Sequence, residues 1–164
     1  MRVANRHYAW ENSMSTEHIL VPIDFSAFAD QALDFAMALA RKLPARLTLL
    51  HVIHIIPLGI TDGGASLPLA YIETLEADVR TSLETYRKRV TEAGIEAEVM
   101  SVHGIPFQSI IDVARDKQVD MIIMGTHGRT GLKHILLGSV AEKVVRLAPC
   151  PVLITRGPTD TSEH

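Results

Sequence analysis

Met121-Ile-Ile-Met124, running into Gly125-Thr-His-Gly128-Arg-Thr-Gly131-Leu-Lys-His-Ile-Leu-Leu-Gly138-Ser139, is the stretch that decides the fold. The apolar run predicts a buried strand, and the glycines after it predict a loop that ends where a helix begins. That is the architecture of a phosphate cradle. Glycines carry no Cβ to hold an anion away from backbone N–H groups. A helix N-terminus adds unpaired donors and a partial positive charge of about half a unit. The pattern points to a nucleotide or another phosphate ester as ligand.

Around that stretch, 164 residues with 47% apolar and 21% charged content suit one compact domain. Lys and Arg number 16 against 19 Asp and Glu, for a formal charge of −3, and the basic residues are scattered. Such a surface lacks the basic stripe that nucleic acid requires, so no nucleic-acid partner is expected. The one cysteine, Cys150, sits between Pro149 and Pro151 and reads as a small, partly buried apolar residue. No stretch approaches the roughly 20 apolar residues that span a bilayer, and residues 1–14 lack the apolar centre of a secretory signal. A cytoplasmic protein without membrane insertion is expected. The first 16 residues, with the single tryptophan Trp10 and a second methionine at Met14, read as an N-terminal extension. Residues 157–164 read as a flexible tail, which leaves 17–156 as the domain.

Outward from the loop, short apolar runs alternate with segments of helical period, the pattern of repeated strand-helix units and a mainly parallel sheet. Strands are expected over His18 to Ile23, Arg46 to Ile53, Ile95 to His103, Asp120 to Gly125 and Pro151 to Arg156. Ile95-Glu-Ala-Glu-Val-Met-Ser alternates between apolar and polar, so the third strand is expected at an edge. Ser26 is placed to cap a helix through about Leu43, with Leu33, Ala36, Met37, Ala40 and Leu43 on one face and Pro44 helping to end it. A second helix, about Leu69 to Ala93, repeats Ile72, Leu75, Val79, Leu83, Tyr86 and Val90 before Gly94 stops it. Pro106 starts a third helix with Ile110, Ile111 and Ala114 inward, and Ser139 a fourth with Val140, Val144 and Leu147 inward. The turn-rich stretch from Pro57 to Pro68 is either a flap over the ligand-binding side or an ordinary surface loop.

The phosphate loop is neither of the two commonest kinds. No glycine is followed by Lys and a hydroxyl residue, as a Walker A loop requires, and the first strand-helix turn, Val21-Pro-Ile-Asp24-Phe-Ser26, holds no glycine for a dinucleotide fingerprint. Gly125-x-x-Gly128, nine residues, then Gly138-Ser139 instead resembles the Gly-2x-Gly-9x-Gly-Ser/Thr signature of ATP-binding universal stress proteins. Ile19-Leu-Val-Pro-Ile-Asp24-Phe-Ser26, Leu47-Thr-Leu-Leu-His-Val52 and Pro149-Cys-Pro-Val-Leu-Ile154 resemble that family too, in order and spacing. The likeness covers about residues 17 to 156. It implies a Rossmann-like α/β fold: an open five-stranded parallel sheet in the order 3-2-1-4-5, with about four helices on its two faces and ATP at the carboxyl ends of the central strands.

By position, the resemblance implies that Pro22, Ile23, Asp24 and Val52 line the adenine and ribose pocket, largely through backbone groups. Asp24 would face the sugar or a metal-bound water, or else serve as a local turn acceptor. Met124 would lie beside the base or sugar. Gly125, Gly128 and Gly138 would give backbone access to ribose and triphosphate, with Ser139 and Val140 donating N–H groups. His127 and Arg129 would meet the outer phosphates. Ser139-Val-Ala-Glu142 also reads as a capping box, in which the Ser139 hydroxyl competes with phosphate for the same donors. Mg2+ would enter only with ATP, held mainly by phosphates and water.

No nucleophile has a base at a recognisable spacing, so ATP is expected to be held, with hydrolysis slow at most. An adenylyl-transfer or ATP-hydrolysing enzyme on a similar sheet is the enzyme alternative. It lacks support from His-x-Gly-His or Ser-Gly-Gly-x-Asp-Ser near the first strand. A dimeric interaction module without nucleotide is a third reading, opposed by the intact glycine spacing. The resemblance further implies a homodimer built through the last strand, Pro151 to Arg156, whose apolar edge invites pairing. It also implies a protein partner that reads the nucleotide state.

Overall fold

The computed structural model describes residues 16–54, 69–126 and 137–156. Residues 1–15, the Pro57 to Pro68 stretch, the site residues expected at His127, Gly128 and Arg129, and residues 157–164 lie outside the described residues. In chain order the elements are β1 (His18–Pro22), α1 (Ala27–Lys42), β2 (Arg46–Ile53), α2 (Leu69–Glu92) and β3 (Ala97–His103). After these come α3 (Pro106–Asp116), β4 (Met121–Gly125), α4 (Ser139–Leu147) and β5 (Val152–Thr155). The five strands form one sheet in the order β3-β2-β1-β4-β5. Every pairing is parallel, with His18 opposite Arg46, Ile19 opposite Met121, Leu47 opposite Ala97 and Ile122 opposite Val152. The fold class and strand order are those expected, with β3 at an edge.

Alternation along the strands divides the core in two. Ile19, Val21, Leu47, Leu49 and Ile123 face α1 and α2, joined by Leu33, Ala36, Val79 and Leu83. Leu20, Leu50, Ile122 and Met124 face α3 and α4, joined by Ile110, Val113, Ala141 and Val144. The central strands are therefore apolar on both faces because helices cover both. By contrast, β3 alternates half-buried with exposed residues, as Glu98 and His103 show.

Local signals account for the element ends. Ser26 caps α1, its hydroxyl accepting from Ala29 N–H at 3.3 Å. After α2 the chain turns at Gly94, whose φ of +77° favours glycine. Ile95 then spends its N–H on the Val90 carbonyl at 3.3 Å, so β3 begins at Ala97, later than the pattern suggested. Two expected core residues are exposed instead, Leu43 by 37% and Leu147 by 54%. Leu43 is the residue after the last turn of α1, and Leu147 ends a nine-residue helix beside the sheet edge. α1 and α2 are tied by Tyr86, which donates to Asp30 at 2.6 Å, and by the Arg89–Asp34 ion pair.

The amino ends of the strands are closed by one polar network. Arg46 donates to His18 Nδ1 at 3.1 Å, which makes Nε2 the protonated nitrogen, and Nε2 donates to Thr48 Oγ1 at 2.6 Å. Thr48 in turn donates to Glu98 at 2.7 Å, and Lys117 pairs with the same carboxylate at 2.7 Å. Asp120 accepts from the backbone N–H groups of Glu17 and His18, at 3.0 and 2.9 Å. His18 and Thr48 are buried, and among the described residues no buried side-chain nitrogen or oxygen lacks a partner. Burial, then the Arg46 charge, holds the His18 imidazole below its ordinary pKa.

Candidate functional site

The carboxyl ends of β1 and β4 lie side by side at the centre of the sheet, and the chain leaves them in opposite directions. β1 feeds α1 on one face while β4 leads toward α4 on the other. The diverging connections open a crevice, the place where open parallel sheets take their ligands. Pro22 ends β1 and Ile23 and Asp24 follow it, Val52 lies near the end of β2, Met124 and Gly125 end β4, and Gly138 caps α4, whose first residues are Ser139 and Val140. All of the expected site residues that are described thus belong to this one rim.

The loop after β4 is closed at its neck. Gly138 N–H donates to the Thr126 carbonyl at 2.7 Å, and Thr126 N–H donates to the Thr155 carbonyl at 3.0 Å. The two ends of the glycine-rich segment are thereby pinned together beside β5. Gly138 is the cap of α4, and its carbonyl accepts from Glu142 N–H at 2.9 Å. The helix therefore starts one residue earlier than a Ser139 capping box requires. Gly138 has no side chain to cap with, and Ser139 is the first helical residue. The expected competition between a Ser139 cap and a phosphate does not arise. The N–H groups of Ser139 and Val140 stand in the first turn, where the helix supplies no acceptor.

Gly125 has a reason for being glycine besides ligand access. A Cβ built there would stand 2.8 Å from Phe28 Cβ and 2.9 Å from the Phe28 carbonyl oxygen, closer than such atoms approach. The missing side chain lets the first turn of α1 lie directly on β4. This is a tertiary requirement that the motif spacing does not express.

On the β1 side, Asp24 Oδ1 accepts from Ser26 N–H at 3.1 Å and from Ser26 Oγ at 2.6 Å, so this oxygen is the acceptor of a local turn. Between them Phe25 takes a φ of +63°, unusual for a bulky residue. Its ring is held by stacking on His51, with centroids 4.5 Å apart, and by an edge contact with Tyr86 at 5.8 Å. His51 Nδ1 donates to the Ile23 carbonyl at 2.7 Å. No local sequence signal marks this role, because Ile23 meets His51 only through strand pairing. Among the described residues no cluster of three or more His, Cys, Asp or Glu could hold a metal ion.

Met124 is buried, and Val52, Leu137, Val140 and Ile154 are partly buried against the same α3–α4 core. They keep the carboxyl ends of the strands apolar on that face of the sheet. Cys150 packs there too, and burial pushes its thiol up to about 11, against the reactivity of a nucleophile. No described helix is long and apolar enough to cross a membrane.

The universal stress protein family model matches residues 15–156. Universal stress protein YxiE of Bacillus subtilis is 35% identical over 144 residues, 84% of this chain and 97% of its own length. Universal stress protein MJ0577 of Methanocaldococcus jannaschii is 34% identical over 157 residues, covering 88% of this chain and 97% of that protein. The solved MJ0577 structure superposes with a TM-score of 0.79 at 33% identity, over 89% of this chain and 99% of that one. A universal stress protein solved in complex with cAMP shares the fold, at a TM-score of 0.65 and 22% identity, over 87% of this chain and 98% of that one. The chain belongs to the universal stress protein family.

Proposed function

We propose that this universal stress protein binds ATP in the crevice between β1 and β4 and carries it as a signal. The observation that carries this reading is the start of α4: a loop neck closed by Gly138 and Thr126, with the Ser139 and Val140 N–H groups beyond it and no capping side chain on Gly138. Those donors suit a phosphate. Gly128, His127 and Arg129 would complete the cradle from the loop. Pro22, Ile23, Val52 and Met124 would take the base and sugar, in an apolar floor. With Oδ1 of Asp24 engaged by Ser26, Oδ2 is the oxygen that would meet the ribose or a magnesium-bound water. Mg2+ would arrive with the nucleotide, held by its phosphates and by water.

Binding without rapid turnover fits a module whose occupancy is read by another protein in the cytoplasm. Mass spectrometry of small molecules released from the purified chain should find an adenine nucleotide, and calorimetry should record ATP binding. Hydrolysis should stay far below the roughly 10 s⁻¹ typical of enzymes. Protein that emerges empty and gives no heat with millimolar ATP would remove the proposal.

The dimer would form through β5. Its side chains are not the available surface: Leu153 packs on one core cluster, Val152 and Ile154 on the other. What remains is backbone. Ile122 N–H reaches the Pro151 carbonyl and Thr126 N–H the Thr155 carbonyl, so the odd-numbered residues of β5 face β4. Val152 and Ile154 therefore turn their backbone groups outward. Exposed Val145 and Leu147, on the helix leading into that strand, extend the apolar edge. Ile154→Pro deletes one outward N–H and spares the ladder to β4. Sedimentation should show two chains for the native protein and one for the variant, and an unchanged mass would exclude this edge.

A further inference from the structure

The ladder between β1 and β2 stops short at the rim where the base would lie, and the carbonyl just past its end is held by His51. In a parallel pair, a residue on one strand donates to the partner strand and then accepts from a residue two further along. Ile23 N–H donates to the Leu50 carbonyl at 2.7 Å, so the next rung would join Val52 N–H to the Ile23 carbonyl. That carbonyl instead accepts from His51 Nδ1 at 2.7 Å. Pairing ends at Pro22 opposite Leu50, and among the described residues the backbone carries no further rung.

Even-numbered residues of β2 point their backbone toward β1, while odd ones point toward β3, as Leu47 N–H to Glu96 and Gly104 N–H to the Ile53 carbonyl show. Val52 therefore aims both its N–H and its C=O past the end of β1. The His51 ring is fixed by stacking on Phe25, whose left-handed backbone brings it there. A side chain thus holds the carbonyl toward which the next rung would run.

We propose that His51 is a positioning residue, which ends the β1–β2 ladder one rung early and so leaves the Val52 donor and acceptor open to the edge of a nucleobase. The base half rests on the ATP reading given above. An adjacent N–H and C=O suit adenine, which offers an amino donor where guanine offers a carbonyl acceptor. His51 touches no part of the ligand in this scheme. It acts through Ile23.

The test begins on nucleotide-free protein, by amide hydrogen exchange resolved at Val52. In the native chain this amide should exchange as an unbonded group. In His51→Leu the Ile23 carbonyl is released, the missing rung forms, and exchange at Val52 should slow by about tenfold or more. His51→Asn keeps a donor near the Nδ1 position and should restore the native rate. With ATP, His51→Leu should weaken binding by about tenfold and erode the preference for ATP over GTP, while His51→Asn stays close to native. A Val52 amide that is already protected in the native chain, or that is unmoved by His51→Leu, overturns the proposal whatever ATP does. A native chain that binds no nucleotide, yet shows the expected exchange pattern, overturns the ATP reading and the base half with it. The ladder-breaking role would then stand alone.

Discussion

The two rims of this sheet are made by the same strands and use their polar groups in opposite ways. At the amino ends, Arg46, His18, Thr48, Glu98 and Lys117 form a chain in which each polar atom of the buried members meets another. At the carboxyl ends the chain leaves backbone donors in the first turn of α4 and ends the β1–β2 ladder early. A rim whose hydrogen bonds are spent internally stabilises the fold and offers little to a ligand. A rim with donors in reserve costs stability, which a ligand can return on binding. The difference separates scaffold from site without reference to any bound molecule.

The strongest way to break that contrast is at the upper rim. Gly138→Val places a branched side chain at the neck of the loop, where the backbone φ of −68° admits it without strain. Its thermal midpoint should stay within a few degrees of native, while ATP affinity should fall by about a hundredfold or more in calorimetry. Native-like affinity in a folded variant would mean that the neck is not the phosphate path.

A smaller effect sharpens the lower rim. The depressed pKa of His18 means that, below the ordinary value of 6.5, the unfolded chain takes a proton there before the folded chain does. Stability should therefore be fully present above about pH 6.5 and decline as the pH falls below it. The groups facing His18 are Arg46, Lys117, Glu98 and Asp120; burial and the two cations outweigh the two carboxylates. His18→Gln retains a donor toward Thr48 but cannot titrate. The stability difference between native and variant chains, from urea unfolding, should be constant above neutrality and shift against the native chain toward pH 5. A difference that is flat across that range would detach the lower network from acid sensitivity.

Much of the fold is legible in the sequence. Pro106 at the start of α3, Ser26 as the cap of α1, the alternation of β3 and the doubly apolar central strands each reflect a local rule that tertiary packing did not override. Where the reading slipped, geometry beyond the local window was responsible. Ser139-Val-Ala-Glu142 satisfies a capping pattern, yet Gly138 is the cap and Ser139 already the first helical residue, with the Gly138 N–H tied to the Thr126 carbonyl where the chain enters. Leu147 continues an apolar period, yet the helix ends beside the sheet edge and leaves it exposed. Nothing beside His51 in the chain marks its partner, a carbonyl just past β1 and 28 residues away.

By itself, the sequence determined which segments become strands and helices, that the sheet is parallel, and that a glycine-spaced segment joins the fourth strand to the fourth helix. Those properties follow from period, cap and turn chemistry within a few neighbouring residues. Only the tertiary structure decided that Gly125 must be bare to admit Phe28, that Thr126 and Gly138 close the loop, and that His51 takes the carbonyl Val52 would have used. Each of these is a contact between groups that the chain brings together only by folding, so no local pattern could encode it.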